Sequence, residues 1–332
     1  MRSFRDLAPR LRRWPGALAL GLVLPLAGCS ADSSRPDAAP PSSGASGTGG
    51  TATAAPEVPG QLRVDGHTRR YLLHRPAADG RRPLVIAFHG RGERAADLRE
   101  KSGLQRAARE RGMLVAFPEG LDQGWGAGAK ATEQRPDPGR DVRFTEALIK
   151  HLVGTERADP RRVYVAGFSN GGSMALRLAA ERPGLVAGAA SVSGQLAAGD
   201  GAVQPTGPVP VLVVYGADDP VRPLAGLPSP PPNPEEPILP SLSARDTAEA
   251  FAEAGGAGDP VTRERKGYDE TVWRPKDGRG GPDAGTVRLL VVHDAGHTWP
   301  GTTAAPPEGF GPVSKDLDAT GTLLDFFTAS GR

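Results

Sequence analysis

The chain has 332 residues, with 40 Lys and Arg against 38 Asp and Glu, and a single Cys. This length is enough for one large domain beside a targeting segment, and one cysteine excludes an intramolecular disulfide. Because the basic residues are interspersed with acidic ones and form no stripe, nucleic acid is not expected as a partner.

The first residues have the pattern of a bacterial export signal. Arginines dominate the first 14 residues, and an apolar run from Ala17 to Gly28 follows, too short to span a bilayer comfortably. The run ends in LAGC, where Cys29 stands behind small residues, as in the bacterial lipobox. We therefore expect residues 1–28 to be a lipoprotein signal peptide and Cys29 to carry lipid. The mature protein is then extracytoplasmic and anchored to the cell membrane, with later release and a plain signal peptide as open alternatives. The pair Arg12-Arg13 fits the twin-arginine consensus poorly.

Residues 29–60 are rich in Ser, Gly, Ala and Pro and predict a disordered tether with an r.m.s. span of about 30 Å. Residues 61–332 are predicted to form one catalytic domain.

The predicted elements of this domain begin with a hairpin that turns at Asp65-Gly66. Short apolar runs then alternate with amphipathic segments, which predicts a mainly parallel sheet with helices on both faces. The predicted strands are PLVIAF (83–88), MLVAFPEG (113–120), RVYVAG (162–167), VAGAASV (186–192), VPVLVVYG (209–216) and TVRLLVVHD (286–294). The predicted helical segments run from Leu98 to Gly112, over 141–155, 171–181 and 243–254, and through a last helix that ends in LLDFF (323–327). A proline-rich excursion (222–240) and an extra hairpin around Trp273 complete the pattern.

The stretch VAGFSNGG (165–172) places Ser169 between glycines. In a chain with 45 glycines a G-x-S-x-G motif is weak evidence by itself. Here, however, it joins a predicted strand to a predicted helix, which is the context of a nucleophile elbow. The amide of Asn170, at the helix start, is then a donor for developing negative charge. The loop FHGRGE after an earlier strand suggests the amide of Arg91 as a second donor, although its glycines also fit a simple turn.

A serine nucleophile needs a base and an acid that orients the base. In the α/β-hydrolase fold these follow the serine as Asp or Glu and then His, at the carboxyl ends of strands. Two predicted strands run into Asp218-Asp219 and into His297. Pattern alone leaves the choice between the two aspartates open. His293 is the weaker base because its ring, at a strand end, can pack or be solvated. The remaining histidines are expected to be structural or solvated, with His89 able to pin the loop after its strand.

The segment HDAGH also has the i, i+4 histidine spacing of a zinc site. Gly296 and the strand-to-loop context argue against a helix there, and neither a glutamate nor a third ligand accompanies the pair. We therefore expect no metal, and no cofactor.

Several of these stretches resemble one family. FHGRG, GLQRAARERGMLVAFPEG, VAGFSNGGSMALRLA, YGADDPVRP and AGHTWPG are similar to the extracellular polyhydroxybutyrate depolymerases and feruloyl esterases, some of which are lipoproteins. The resemblance runs from about Leu62 to Phe327. It implies an α/β-hydrolase fold, with Ser169 as nucleophile, Asp219 as acid and His297 as base, and it leaves Asp218 as the spare carboxylate.

The resemblance also extends to Trp125, in the loop after the second main strand. We expect Trp125 and Trp299 to line the substrate cleft, with a core position as the alternative for each. Tyr215 and Leu224 depart from residues common in the family, and the disulfides of many members cannot form, so the acyl preference stays open.

The function implied is hydrolysis of a carboxylic ester through an acyl-enzyme, on feruloyl, acetyl or hydroxyalkanoate esters of small-molecule or polymer substrates. A serine peptidase on the same fold and a catalytically silent binding lipoprotein are the alternatives. Nothing in the sequence indicates an oligomeric state.

Overall fold

Ten strands of the described residues form a single sheet in the computed structural model, which describes residues 58–77, 80–228, 240–276 and 285–330. The predicted signal peptide, Cys29 and nearly all of the predicted tether lie outside these residues. The strands are β1 (Val58–Val64), β2 (His67–His74), β3 (Arg82–Phe88), β4 (Leu114–Pro118), β5 (Ala158–Phe168), β6 (Gly188–Val192), β7 (Val211–Gly216), β8 (Val261–Arg265), β9 (Tyr268–Trp273) and β10 (Val287–Val292).

The strand order is β1-β2-β4-β3-β5-β6-β7-β10-β9-β8. The six strands from β4 to β10 in this order pair in parallel, while β1, β2, β9 and β8 add antiparallel pairs at the two edges. Every residue of β7 is buried, as expected for a parallel strand covered on both faces. Every residue of the edge strand β8 is exposed. The predicted mainly parallel sheet is confirmed.

Six α-helices are described: α1 (Ala95–Ser102), α2 (Leu104–Glu110), α3 (Arg140–Thr155), α4 (Asn170–Glu181), α5 (Ala244–Ala254) and α6 (Ala319–Ser330). Apolar side chains of α3, α4 and α5 join the core on one face of the sheet, and those of α1, α2 and α6 join the core on the other. None of the helices in the described ranges combines the length and apolar character that a bilayer crossing requires.

Most predicted elements are present, but their ends differ from the observed ones by up to four residues, as for the predicted strand at 162–167, which is β5 (Ala158–Phe168). The first hairpin turns at Asp65 and Gly66, which have φ of 47° and 79°, and the hairpin that contains Trp273 is formed by β8 and β9. The predicted helical segment from Leu98 to Gly112 is two helices, because Gly103, at φ 62°, ends the first in the left-handed region. The strand β1 begins at Val58, slightly before the predicted domain start at residue 61. Most of the proline-rich excursion lies outside the described residues.

Candidate active site

Ser169 lies on the sharp turn between β5 and α4, with φ 53° and ψ −120°. This backbone conformation is strained for a residue with a side chain. It is held by hydrogen bonds from the Ser169 amide to the Val192 carbonyl (2.8 Å) and from the Ser173 amide to the Ser169 carbonyl (3.0 Å). The flanking glycines are required by close packing, since a Cβ added to Gly171 would lie 2.1 Å from the Phe88 carbonyl oxygen. The turn therefore holds Ser169 at the carboxyl edge of the sheet.

His297 connects Ser169 to Asp219. Its Nε2 lies 2.8 Å from the Ser169 hydroxyl, and its Nδ1 lies 2.7 Å from Asp219 Oδ2. With a carboxylate at Nδ1, the neutral ring carries its proton there and presents Nε2 as an acceptor for the hydroxyl proton. The ring is buried and flanked by Phe168 and Phe310, with centroids 5.1 and 5.3 Å away. The structure thus brings together three side chains that are far apart in sequence.

The two adjacent aspartates have different environments. Asp219 is buried, and its Oδ1 accepts hydrogen bonds from the amides of Val221 (2.9 Å) and Arg222 (2.8 Å). The hydroxyl of Tyr215 donates to the Arg222 carbonyl (3.0 Å) and so braces the same turn. Burial raises the pKa of Tyr215, so its hydroxyl stays protonated as this donation requires. Asp218 is exposed. The geometry therefore selects Asp219.

A cleft of about 370 Å³ opens beside Ser169. Arg91, Asn170 and His297 all line it, together with Trp125 and Phe310. The guanidinium of Arg91 donates to the Gln134 side-chain oxygen across 3.3 Å. This volume falls within the usual range for small-molecule sites.

Trp125 belongs to a long segment, residues 119–139, that we call the tryptophan loop. Its indole donates to the His89 carbonyl (2.9 Å), its amide donates to the Asn170 side-chain oxygen (2.7 Å), and its carbonyl accepts from the Asn170 side-chain nitrogen (3.1 Å). The structure thus places Trp125 at the cleft wall, with only 1% of its surface exposed. The side chain of Asn170, whose backbone amide was the residue's only predicted contribution, thus supports this loop.

Two buried charged residues anchor the tryptophan loop, and neither was identified from the sequence. Arg177 of α4 lies within 2.8 Å of the carbonyl oxygens of Gly126, Gly128 and Pro138. Asp141 of α3 accepts from the Gly126 amide (2.8 Å) and from Arg69. Each of these residues lies on the apolar face of its helix, and that position could have identified it from the sequence. A charged side chain that is buried there needs polar partners.

His89 links the loop after β3 to the tryptophan loop. Its Nδ1 donates to the Gly90 carbonyl (2.7 Å), and its Nε2 accepts from the Gly120 amide (2.9 Å). Burial lowers the pKa of this histidine, so the ring is held neutral in one tautomer. This is the pinning role that the sequence suggested.

Trp299 is not at the cleft, and the cleft-lining role predicted for it is wrong. The chain turns away from the cleft directly after His297 and packs the indole against α6, in the same cluster as Leu323 and Leu324. The buried indole N–H donates to Thr320 Oγ1 (2.9 Å). Trp299 instead lines a separate surface depression beside α1.

The other histidine of HDAGH faces a different partner. His293 Nε2 lies 3.3 Å from Asp269 Oδ2 at the strand end, whereas His297 faces Asp219 and Ser169. In the part of the chain that the structure describes, no group of three or more His, Cys, Asp and Glu side chains is arranged to hold a metal ion.

The chain matches the family model described as "Putative esterase" over residues 66–254, which is more than half of its length. The chain belongs to this esterase family. Membership supports ester hydrolysis as the activity, and the predicted resemblance is confirmed.

Several similar proteins are named as esterases or as a depolymerase. The "Putative esterase NocK" of Nocardia uniformis subsp. tsuyamanensis is 42% identical over 286 residues, covering 80% of this chain and 81% of that protein. Feruloyl esterase B of Piromyces equi is 32% identical over 144 residues, 41% of this chain and 26% of that protein. Poly(3-hydroxyalkanoate) depolymerase C of Paucimonas lemoignei is 36% identical over 118 residues, 34% of this chain and 28% of that protein.

Among solved structures, the acetyl xylan esterase from Aspergillus awamori superposes with a TM-score of 0.52 at 15% identity, covering 80% of this chain and 99% of that one. At this identity the likeness concerns the fold. With the parallel sheet and the elbow it confirms the predicted α/β-hydrolase fold.

Proposed function

We propose that this chain is a serine esterase that cleaves carboxylic esters through an acyl-enzyme. The proposal rests chiefly on the continuous contact Ser169 Oγ to His297 Nε2 (2.8 Å) and His297 Nδ1 to Asp219 Oδ2 (2.7 Å). This is the arrangement by which a histidine removes the hydroxyl proton while a carboxylate fixes its tautomer.

In the proposed reaction the Ser169 oxygen bonds to the ester carbonyl carbon as its proton passes to His297 Nε2. The bond from that carbon to the leaving oxygen then breaks, and His297 returns the proton to the departing alcohol. In the second half of the reaction water attacks the carbonyl carbon of the acyl-enzyme and gives its proton to His297. The bond to the Ser169 oxygen then breaks, which releases the acid and restores the serine. Asp219 stabilises the imidazolium in both halves.

The backbone amides of Asn170 and Arg91 are proposed to stabilise the oxyanion. Both residues line the cleft, and Asn170 is the first residue of α4, where amides lack partners within the helix. Loss of one such donor costs on the order of 10²–10³ in rate in related chemistry. Trp125 is proposed to be part of the substrate-binding wall.

Labelling with a fluorophosphonate probe tests the proposed nucleophile. We expect the wild-type protein to label at Ser169 and Ser169→Ala to lose both labelling and ester hydrolysis. Ser173→Ala is the matched control, because Ser173 is the other serine among the described residues that line the cleft, and it should still label. Labelling that survives in Ser169→Ala would contradict the assignment.

A substrate panel then separates the alternatives. Aryl acetates, methyl ferulate and short hydroxybutyrate oligomers should be hydrolysed and a peptide amide should not. Preferential cleavage of the amide would favour a peptidase, and an inert but folded protein would favour a binding lipoprotein.

We further propose that Cys29 carries lipid and anchors the protein outside the cytoplasm, on the pattern of basic, apolar and LAGC segments. Metabolic labelling with a fatty acid should mark the wild-type protein and should not mark Cys29→Ala. Equal labelling of both would refute the anchor.

A further inference from the structure

Most of the charged side chains that line the cleft are basic. The basic residues that line it are Arg91, Lys130, Arg135 and Arg222, whereas the acidic residue among the described lining is Glu93. The carboxylate of Glu93 is already engaged, since it accepts from the Gly90 amide (3.0 Å) and pairs with Lys101. It is therefore unable to neutralise the arginines.

Two of these arginines, Arg135 and Arg222, have no well-shielded carboxylate partner among the described residues. Arg135 lies 3.3 Å from Asp122, but that aspartate side chain is 88% exposed, and solvent screens such a pair. The Nε atoms of Arg135 and Arg222 are both buried and without a hydrogen-bond partner. Within the described ranges, no carboxylate pairs with the guanidinium of Arg222. Positive charge without a shielded carboxylate partner makes this side of the cleft receptive to an anion.

Arg135 and Arg222 both act on Arg91. The pKa of Arg91 is lowered, first by burial and then by the positive charges of Arg135 and Arg222. All three residues line the same cleft, and an anion bound there would offset this repulsion on Arg91.

These charges surround the proposed nucleophile on different loops. Arg91 follows Gly90 on the proposed oxyanion loop. The amide of Arg222 holds the Asp219 carboxylate. Arg135 Nη2 and Asn170 Oδ1 face the same side of Gly124, because a Cβ added there would lie 3.2 and 3.5 Å from them. The aromatic wall of Trp125, Phe168 and Phe310 completes the cleft.

We infer that this cleft selects esters that carry a second, ionised acidic group, such as a carboxylate, close to the scissile ester. This inference rests on the proposed serine esterase function. The arginines bind that group, and the aromatic side chains contact the apolar part of the substrate. Arg222 is the principal candidate for the contact because it lines the cleft and no carboxylate of the described residues pairs with its guanidinium.

Matched ester pairs test the charge preference. On the acid side we would compare 4-nitrophenyl glutarate with its neutral amide, 4-nitrophenyl glutaramate. On the alcohol side we would compare 4-acetoxybenzoate with 4-acetoxybenzamide. Each kcat/KM is divided by the rate constant of spontaneous alkaline hydrolysis, which removes intrinsic reactivity. We expect the anionic member of at least one pair to be preferred about tenfold or more, since hydrogen bonds to charged groups are strong. The preference should shrink as salt rises from about 20 to about 500 mM.

Two arginine variants test whether the charge preference arises in the cleft. Arg222→Gln should lower the ratio of anionic to neutral kcat/KM about tenfold. Arg161→Gln removes an exposed arginine near the amino end of β5, at the opposite edge of the sheet, and should leave the ratio unchanged. Hydrolysis of both members of each pair with no anionic preference overturns this inference alone. A preference that survives in Arg222→Gln, or falls equally in Arg161→Gln, overturns the assignment to the cleft. Failure to hydrolyse any ester, without labelling of Ser169, overturns the proposed function and this inference with it.

Discussion

Replacing Asn170 by alanine should loosen the tryptophan loop while leaving the proposed chemical groups in place. The Asn170 side chain binds both backbone groups of Trp125, at 2.7 and 3.1 Å. The backbone amide of residue 170, proposed as an oxyanion donor, is retained in Asn170→Ala. The substitution therefore separates support of the cleft wall from direct stabilisation of charge.

The expected loss of stability follows from the burial of both residues. Trp125 is 1% exposed and Asn170 is 8% exposed, so the freed amide and carbonyl would not readily gain water. At about 1–2 kcal/mol for each group, the free energy of unfolding should fall by about 2–4 kcal/mol. For a domain of this size that is a Tm lower by about 5–15 °C. Displacement of the wall should lower kcat/KM about 10- to 100-fold.

Urea unfolding followed by tryptophan fluorescence, together with steady-state kinetics, measures both effects. Gln61→Ala removes an amide side chain from an exposed position in β1 and should change stability by less than about 0.5 kcal/mol. Asn170→Asp keeps the acceptor for the Trp125 amide and loses the donor. It should recover little of the lost stability, because a carboxylate oxygen then faces the Trp125 carbonyl, and it should have a lower kcat than Asn170→Ala, because its negative charge lies beside the proposed oxyanion site. An Asn170→Ala protein as stable as Gln61→Ala would refute this reasoning.

Three further predictions concern charge and titration. Asp219→Asn should lower kcat by about 10³- to 10⁴-fold, since the histidine loses the carboxylate that fixes its tautomer, whereas Asp218→Asn, at an exposed position, should change kcat less than about twofold; equal effects in a kinetic assay would refute the choice between them. Asp141→Asn should lower the free energy of unfolding by about 3–5 kcal/mol, because it leaves the Arg69 charge buried without its partner at 2.9 Å. The double variant Asp141→Asn, Arg69→Met should recover part of this stability in urea unfolding, because it no longer buries an unpaired charge. A double variant as unstable as Asp141→Asn would contradict the role given to the Arg69–Asp141 pair. Burial lowers the pKa of His89 in the folded state, so below about pH 6.5 the unfolded chain takes up the proton first and stability falls as pH falls. The decrease in the free energy of unfolding between about pH 7.5 and 5 should be smaller in His89→Gln than in the wild-type protein. Identical pH profiles of unfolding would show that His89 is not the cause of the decrease.

Much of the fold was predictable because its signals are local. The strands β3, β7 and β10 are short apolar runs that alternate with helical segments along the chain. This alternation indicates buried parallel strands and can be recognised without knowing any distant contact. The turn at Asp65-Gly66 was predictable for the same reason, since turn chemistry depends on neighbouring residues. The helix break at Gly103 was missed because one glycine within a helical pattern can be tolerated, and only its left-handed backbone shows that the helix ends there.

The order of Ser169, the aspartate pair and His297 along the chain was enough by itself to predict that they meet at one edge of the sheet, because parallel strands present their carboxyl ends together. The burial of Asp219 beside His297, the core position of Trp299 and the anchoring of Trp125 by Asn170 were decided by the tertiary structure alone, although the family resemblance had already favoured Asp219 over Asp218. Each depends on which of several neighbouring side chains faces the interior and which distant group it meets there. Such contacts join residues 21 to 78 positions apart, and no local preference of the backbone encodes them.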